Sequence, residues 1–553
     1  MNKAPSAYFR NSFAEDIFNQ KYRHEGCNTW EDMAQTVTND VCSLYMNIDD
    51  RNQLVQYITD MKFIPGGRYL YYAGRKRRFY NNCFLLKSEE DTREDWAELS
   101  KKVELCLSVG GGIGNDYSIY RPRGSHLHGT GGTASGPVDK IKMINEIGRG
   151  VIQGGSRRAA LYGSLSCDHD DIYEFMHAKN WYEQPVGTSG LTLGQVKEQD
   201  FNFPAPLDMT NISINYNTDW LLSYWKTGEV GELFMENCKQ ALSTAEPGFS
   251  FNFFDKENET LRNACTEVTS EDDSDVCNLG SINLANISDM EELKSVVELT
   301  TMFLICGSLR AELPYEKVDV VRAKNRRLGL GLMGIHEWLI QREYKYEVPE
   351  ELHRWLTIYR DVSDYISRTF ADSLSISRPI ANRAVAPTGS IGILAGTTTG
   401  IEPLYAVAYK RRYLKGTRWQ HQFVVDSAAQ TMIDEYGVAP DSIECAIDLA
   451  TDYKRRLSVQ ANVQEYVDHG ISSTINMPEW GTEHNNEDGV SEFANTLASY
   501  AHRIRGFTVY PNKCRGGQPI TAVPYKEALA KTGEVYQETT DVCDITGIGF
   551  CGV

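Results

Sequence analysis

The chain opens with apolar residues at three- and four-residue spacing. "AEDIFNQKY" and "WEDMAQTVTNDVCSLYM" each put them on one helical face, which predicts helix over residues 1 to about 65. Pro and Gly in "FIPGGRYLYYAGR" then break the helical pattern, and "NCFLL" predicts a short strand. From there to about residue 520, short apolar or alternating stretches recur between helical ones: "NISINYN", "GSINLANI", "RAVAPTGSIGIL" and "GFTVY". That alternation predicts an α/β architecture. The chain ends in the polar, Gly-containing "EVYQETTDVCDITGIGFCGV", expected to form a mobile tail. The predicted division is a helical region 1–65, an α/β body 66–525 and a tail 526–553.

Composition narrows the class. With 553 residues, 41% hydrophobic and 24% charged, the chain has the make-up of an ordinary soluble protein. It lacks the ~18–20 consecutive apolar residues of a bilayer span, and its N-terminus has no secretory pattern, so a cytoplasmic location without membrane contact is expected. A net charge of −19 argues against nucleic acid as a partner. It leaves room for small anionic ligands, which need only local N–H groups and a few arginines. The 13 cysteines are odd in number and contain no C-x-x-C pair, which argues against a secreted disulfide scaffold or a zinc ribbon. No metal is expected in this chain. Cys42, Cys106, Cys167, Cys238 and Cys306 read as small buried apolar residues.

Chemistry concentrates in "RNACTEVTSEDDSDVCNLGSIN", residues 262–283. Alternation places Asn263, Cys265 and Glu267 on one side of an extended strand, and Cys277 follows. Three Gly-rich segments add candidate anion sites: "SVGGGIGNDYSIYRPRGSHLHGTGGTASGP" with Arg121 and Arg123, "GRGVIQGGSRRAALYG" with Gln153, Arg157 and Arg158, and "APTGSIGILAGTTTGIEP" with Thr388, Gly389, Ser390 and Ile391. None has the P-loop or dinucleotide pattern, and each alone reads as readily as a turn. Together they point to phosphorylated ligands.

In combination these motifs carry a resemblance. "NNCFLL", "GGGIGNDYSIYRPRGS", "GTGGTASGP", "QGGSRRAA", "NACTE", "CNLGSINLANI", "APTGSIG", "GIEPLYA" and "RGGQPITAVPY", in this order, resemble the catalytic large subunit of ribonucleotide reductases from about residue 60 to 520. The resemblance implies a ten-stranded α/β barrel with the active cysteine on a central loop. It implies that Cys265 becomes a thiyl radical, that Glu267 takes the ribose 3′-OH proton, and that Asn263 holds the ribose hydroxyls. Cys83 and Cys277 match the reducing pair, expected to face each other across the barrel. Cys543 and Cys551 match a tail dithiol that passes electrons from thioredoxin or glutaredoxin, although their separation is wider than such pairs usually show. Thr388, Gly389, Ser390 and Ile391 map to the substrate phosphates. Asp91, Arg121 and Leu127 map to a site for a deoxynucleoside triphosphate or ATP effector at a homodimer interface, and Gln153 and Arg157 to the loop that relays its identity.

The resemblance also has departures. Only about 60 residues precede the barrel region, so the ATP-binding regulatory cone and global control through it are not expected. Tyr69 stands where the family often has a threonine near the substrate phosphate, and Pro511 follows Tyr510 where many members have a second tyrosine. Compact viral members resemble the cobalamin-dependent group in wording yet work with a small metal-containing partner. The expected reaction is reduction of ribonucleoside diphosphates to 2′-deoxyribonucleoside diphosphates. Its radical is expected from a separate ferritin-like dimetal subunit through Tyr510, with adenosylcobalamin as the alternative source. A nucleotide-binding regulatory protein without catalysis is disfavoured by the intact Asn263, Cys265, Glu267, Cys83 and Cys277. A thiol–disulfide oxidoreductase would require the missing C-x-x-C motif.

Overall fold

The computed structural model describes residues 8–129, 131–153, 157–200, 203–415, 418–514, 520–532 and 535–536. Helices Trp30–Cys42 and Ile48–Thr59 realise the N-terminal periodicity. Trp30, Met33, Ala34, Val37 and Val41 form the buried face of the first. Its start is fixed by a capping box: Thr29 Oγ1 accepts from Asp32 N–H at 3.1 Å, and Asp32 Oδ2 accepts from Thr29 N–H at 2.9 Å. "FIPGGRYLYYAGR" is not a simple break. It forms strand Phe63–Pro65 and then helix Gly67–Tyr72, the chain turning at Gly66, where a Cβ would lie 2.6 Å from the Leu279 carbonyl oxygen.

The large sheet has ten strands. Cys83–Lys87, Gly112–Asp116, Leu161–Ser166, Thr210–Tyr216 and Gly248–Phe251 run parallel in that order. A second parallel set contains Asp275–Asn283 beside Leu328–Met333, and Thr474–Met477 beside Gly506–Pro511. The two sets join antiparallel, Asp275–Asn283 to Cys83–Lys87 and Gly506–Pro511 to Gly248–Phe251. The tenth strand, Phe63–Pro65, lies outside this ring and pairs with Asp275–Asn283. The extended segment 381–386 takes its place as the last stave. Leu330 N–H donates to Asn382 O (3.0 Å) and Val385 N–H to Gly470 O (3.2 Å), which closes the sheet into a barrel.

Period-two alternation sorts the strand side chains. Phe84, Leu86 and Val276 face outward into the core under the helices. Cys83, Leu85, Cys277, Leu279, Ala384 and Ala386 face inward, where they pack on Leu261 and Val268. Those two residues belong to a small hairpin, Leu261–Arg262 paired with Thr269–Ser270, that threads the barrel. Glycines make room for it. A Cβ on Gly114 would lie 1.5 Å from the Arg262 carbonyl oxygen, and one on Gly112 would lie 3.2 Å from Ala264 Cβ. The "GGGIGN" run read as a possible anion cradle therefore admits the hairpin, its backbone at Gly114 and the Ala264 methyl at Gly112. Among the described residues, no helix is long and apolar enough to cross a membrane.

Gly114→Ala is expected to displace the hairpin and lower unfolding free energy by at least about 1–3 kcal/mol, the usual range for overpacking. Gly129→Ala, with nothing within 4 Å of its Cβ position, serves as the neutral control. Denaturant titration of the two variants against the parent measures the difference.

Candidate active site

The hairpin tip corrects the reading of "NACTE" as extended strand. Residues 263–268 form a turn in which Thr266 N–H donates to Asn263 O at 2.9 Å and Thr266 adopts φ +70°. Asn263 Oδ1 accepts from Val268 N–H at 2.9 Å and ties off the other side. The three residues consequently do not share one face. Asn263 and Glu267 are buried, while Cys265 is exposed at the apex.

Beneath the apex lies a dithiol. Cys83 and Cys277 are register partners on neighbouring antiparallel strands, so they stand side by side and not across the barrel. Such partners have Cα atoms about 4.5–5.5 Å apart, within the span of a disulfide. Both are present as thiols. Asn263 Nδ2 donates to Cys83 Sγ at 3.1 Å, and Glu267 Oε1 lies 3.9 Å from the same sulfur. The hairpin thus brings an amide and a carboxyl group onto this pair of thiols.

Burial sets the protonation states. It pushes the Cys83 thiol well up, reinforced by the nearby Glu267, Cys277 and Cys265. It raises Cys277 likewise, with help from Asp275 and Glu267. Both groups are therefore S–H at neutral pH, able to deliver protons and electrons but poor nucleophiles. Burial also raises Glu267 to about 7, against the opposing hydrogen bonds from Asn263, its own backbone and Cys83. Glu267 Oε2 is buried without a hydrogen-bond partner, which leaves one carboxylate oxygen ready to receive a proton.

A buried polar collar holds the hairpin base, and its residues escaped the sequence reading. Arg262 donates to Asn252 Oδ1 at 2.6 Å and to the Arg505 carbonyl at 3.3 Å. Glu259 pairs with Arg505 (3.0 Å) and Arg327 (3.4 Å), and accepts from Thr269 Oγ1 at 3.0 Å. Thr269 N–H donates to His469 Nδ1 at 3.2 Å. Burial depresses both His469 and Arg262, the latter to about 9. The one local signal was the arginine directly preceding "NACTE".

The other predicted residues fall into separate groups. Thr388 adopts φ +51° ahead of helix Gly389–Ala395, and its hydroxyl accepts from Gly400 N–H at 2.8 Å. Ser390 Oγ accepts from Lys21 Nζ at 3.3 Å, a residue the sequence reading did not single out. Asp91 and Arg121 come together as an ion pair with each other, and Arg121 N–H also donates to Asp91 Oδ2 at 3.2 Å. Leu127 lies in the following loop, its N–H donating to Gly132 O at 3.0 Å. Arg123 pairs with Glu174 and Asp139. Gln153 and Arg157 are backbone partners in a two-stranded ribbon, and their side chains, like that of Arg158, lie outside the description. Tyr510 is half-buried on strand Gly506–Pro511. Tyr69 is a core residue whose hydroxyl accepts from Asn278 Nδ2 at 2.5 Å and whose ring stacks on Tyr80. Cys543 and Cys551 lie outside the described residues. Among the described residues no cluster of three or more His, Cys, Asp or Glu side chains could hold a metal ion.

A barrel that encloses a cysteine-tipped hairpin above a pair of adjacent buried thiols is the arrangement the structure presents. The family model "Ribonucleotide reductase, barrel domain" matches residues 81–201, 214–365 and 380–510, and the chain belongs to this family. It is 28% identical to the vitamin B12-dependent ribonucleoside-diphosphate reductase of Mycobacterium tuberculosis H37Rv, over 86% of this chain and 72% of that protein. It is 27% identical to the protein of the same name from Thermoplasma acidophilum, over 89% and 69%. Its fold is similar to the Actinobacillus ureae class Id ribonucleotide reductase alpha subunit, with TM-score 0.71, 15% identity and coverage of 93% and 99%.

The raised Glu267 makes stability pH-dependent. Its folded value of about 7 lies above the ordinary 4.5, so its contribution is fully present below about 4.5 and is lost as pH rises through 7. The loss amounts to about 3 kcal/mol at most. Urea titrations should show the parent falling relative to Glu267→Gln across this window, with a constant difference above it. Parallel curves from pH 4 to 8 would contradict the assignment.

Proposed function

We propose that this chain is the catalytic subunit of a ribonucleoside-diphosphate reductase that makes 2′-deoxyribonucleoside diphosphates for DNA synthesis. The observation that carries this reading is Cys265 at an exposed apex with Glu267 and the Cys83–Cys277 pair directly beneath. In the reaction, a Cys265 thiyl takes the 3′-hydrogen while the Glu267 carboxylate takes the 3′-OH proton. The 2′-hydroxyl leaves as water with one proton from the dithiol, the second dithiol hydrogen passes to C2′ as Cys83 and Cys277 close to a disulfide, Glu267 returns its proton to the 3′ oxygen, and Cys265 returns hydrogen to C3′. Overall, ribonucleotide and dithiol give deoxyribonucleotide, disulfide and water. Asn263 orients the ribose, and Thr388, Gly389, Ser390 and Ile391 receive the phosphates. Cys543 and Cys551 restore the dithiol from thioredoxin or glutaredoxin. A deoxynucleoside triphosphate or ATP binds at Asp91, Arg121 and Leu127 in a homodimer and acts on substrate choice through Gln153 and Arg157, with reciprocal coupling.

Adenosylcobalamin is the proposed radical source, because relatives matching most of this chain are named vitamin B12-dependent. When bound, it would supply the radical that oxidises Cys265, whose exposed position suits direct access. A separate dimetal subunit is the second reading. It is favoured by Tyr510, on the strand whose preceding residue, Arg505, anchors the hairpin base.

Reduction of CDP or ADP with dithiothreitol tests both. Turnover is expected with adenosylcobalamin and should fall to background in Cys265→Ser, which retains nucleotide binding because serine is nearly isosteric. Turnover only with a dimetal subunit would select the second reading. Appreciable turnover by Cys265→Ser would remove Cys265 from the mechanism.

A further inference from the structure

The N-terminal segment is built onto the helix that carries Ser390. Helix Ser12–Ile17 packs against helix Gly389–Ala395. Arg10 reaches over it, donating to the buried Glu337 carboxylate at 2.7 Å, to the Gly396 carbonyl at 3.2 Å and to Asn286 Oδ1 at 3.0 Å. Tyr436 OH donates to the same Glu337 oxygen, Oε1, at 2.9 Å, and Thr397 Oγ1 donates to the other, Oε2, at 2.5 Å, so both oxygens of the buried carboxylate are bonded in this clamp. The chain then leaves the helix through a π-helical turn, Phe18–Tyr22. Such turns recur at functional sites because they re-aim side chains. This one sends Lys21 Nζ to Ser390 Oγ at 3.3 Å, while the Tyr22 hydroxyl lies against Gly67.

We infer that Lys21 is a positioning residue for substrate phosphates, so that the N-terminal segment completes the nucleotide site. The inference rests on the proposed role of Thr388 to Ile391 in phosphate binding. An ammonium donating to Ser390 already stands beside the oxygens of any phosphate that Ser390 binds. Lysine suits this task because its compact charge swings on a flexible stem between the hydroxyl and a phosphate oxygen. Arg10 is excluded from it, since its guanidinium is committed to Glu337, Gly396 and Asn286. The buried clamp fixes where Lys21 begins its reach, so the contact depends on folded structure and not on a floating arm. A second phosphate gains more from the added charge than a neutral nucleoside does, which makes Lys21 a discriminator of phosphorylation state.

Equilibrium binding of CDP, CMP and cytidine, and of the adenine series, to the full chain tests this without a radical source. Lys21→Met keeps the apolar stem and should weaken diphosphate binding about 10- to 100-fold, the range for a lost charge-assisted hydrogen bond. Nucleoside binding should change less than about twofold. Lys21→Arg should recover most of the loss, because it restores the charge. Ser390→Ala reports on the underlying reading. If Ser390→Ala weakens diphosphate binding and Lys21→Met does not, the inference fails and the phosphate assignment stands. If neither variant changes binding, both are overturned. Equal weakening of cytidine and CDP by Lys21→Met would mark a structural role and also overturn the inference.

Discussion

The active arrangement depends on one close approach: the backbone of the hairpin passes through space that a side chain on strand Gly112–Asp116 would fill. At Gly114 the clash with the Arg262 carbonyl would be severe, at 1.5 Å. Little apolar surface drives the hairpin inward, since its main contributions to the inner core are Leu261 and Val268. Position comes instead from hydrogen bonds and from the pairs that the half-buried Glu259 makes with the buried Arg505 and Arg327. Ion pairs of this kind add little net stability, because desolvation offsets the attraction. They do penalise any displacement that leaves one charge alone. The collar therefore fixes geometry, which is what a reaction between precisely placed atoms requires.

The same enclosure sets the chemistry. Desolvation disfavours every anion in the cavity, so it raises the Cys83 and Cys277 thiols and Glu267 together. Charge on Glu267 further disfavours a thiolate at either sulfur. The result is a carboxyl group that exchanges its proton near neutral pH beside two thiols that keep theirs. That division of labour suits a base for one hydroxyl and an acid for the other.

Much of the barrel was legible because its strands carry their own signals. "NCFLL", "NISINYN" and "GFTVY" became strands Cys83–Lys87, Thr210–Tyr216 and Gly506–Pro511. The candidate residues Asn263, Cys265, Glu267, Cys83 and Cys277 were picked out by their motifs, and the fold brings them together. Their relative placement was not legible. The alternation in "NACTE" imitates a strand, but Thr266 at φ +70° is imposed by contacts with distant segments, including Gly470, whose N–H donates to Glu267 O at 2.7 Å. The adjacency of Cys83 and Cys277 likewise depends on strand register, which no local pattern carries. The collar was hidden because Glu259, Arg327, His469 and Arg505 are far apart in sequence. Charged residues in isolation read as surface. Glycines 112 and 114 were visible, but what they make room for was not: a Gly-rich run looks the same whether it admits an anion or a hairpin.

The central claim is that the electrons for ribose reduction come from Cys83 and Cys277. A single-turnover experiment without external reductant tests it most directly, using a Cys543→Ser/Cys551→Ser chain so that the tail cannot resupply electrons. Product and disulfide are then counted in the same sample, by nucleotide chromatography and by mass spectrometry of peptides under non-reducing conditions. The account predicts one deoxynucleotide per active chain and a matching amount of Cys83–Cys277 disulfide. Deoxynucleotide formed while both cysteines remain thiols would contradict it.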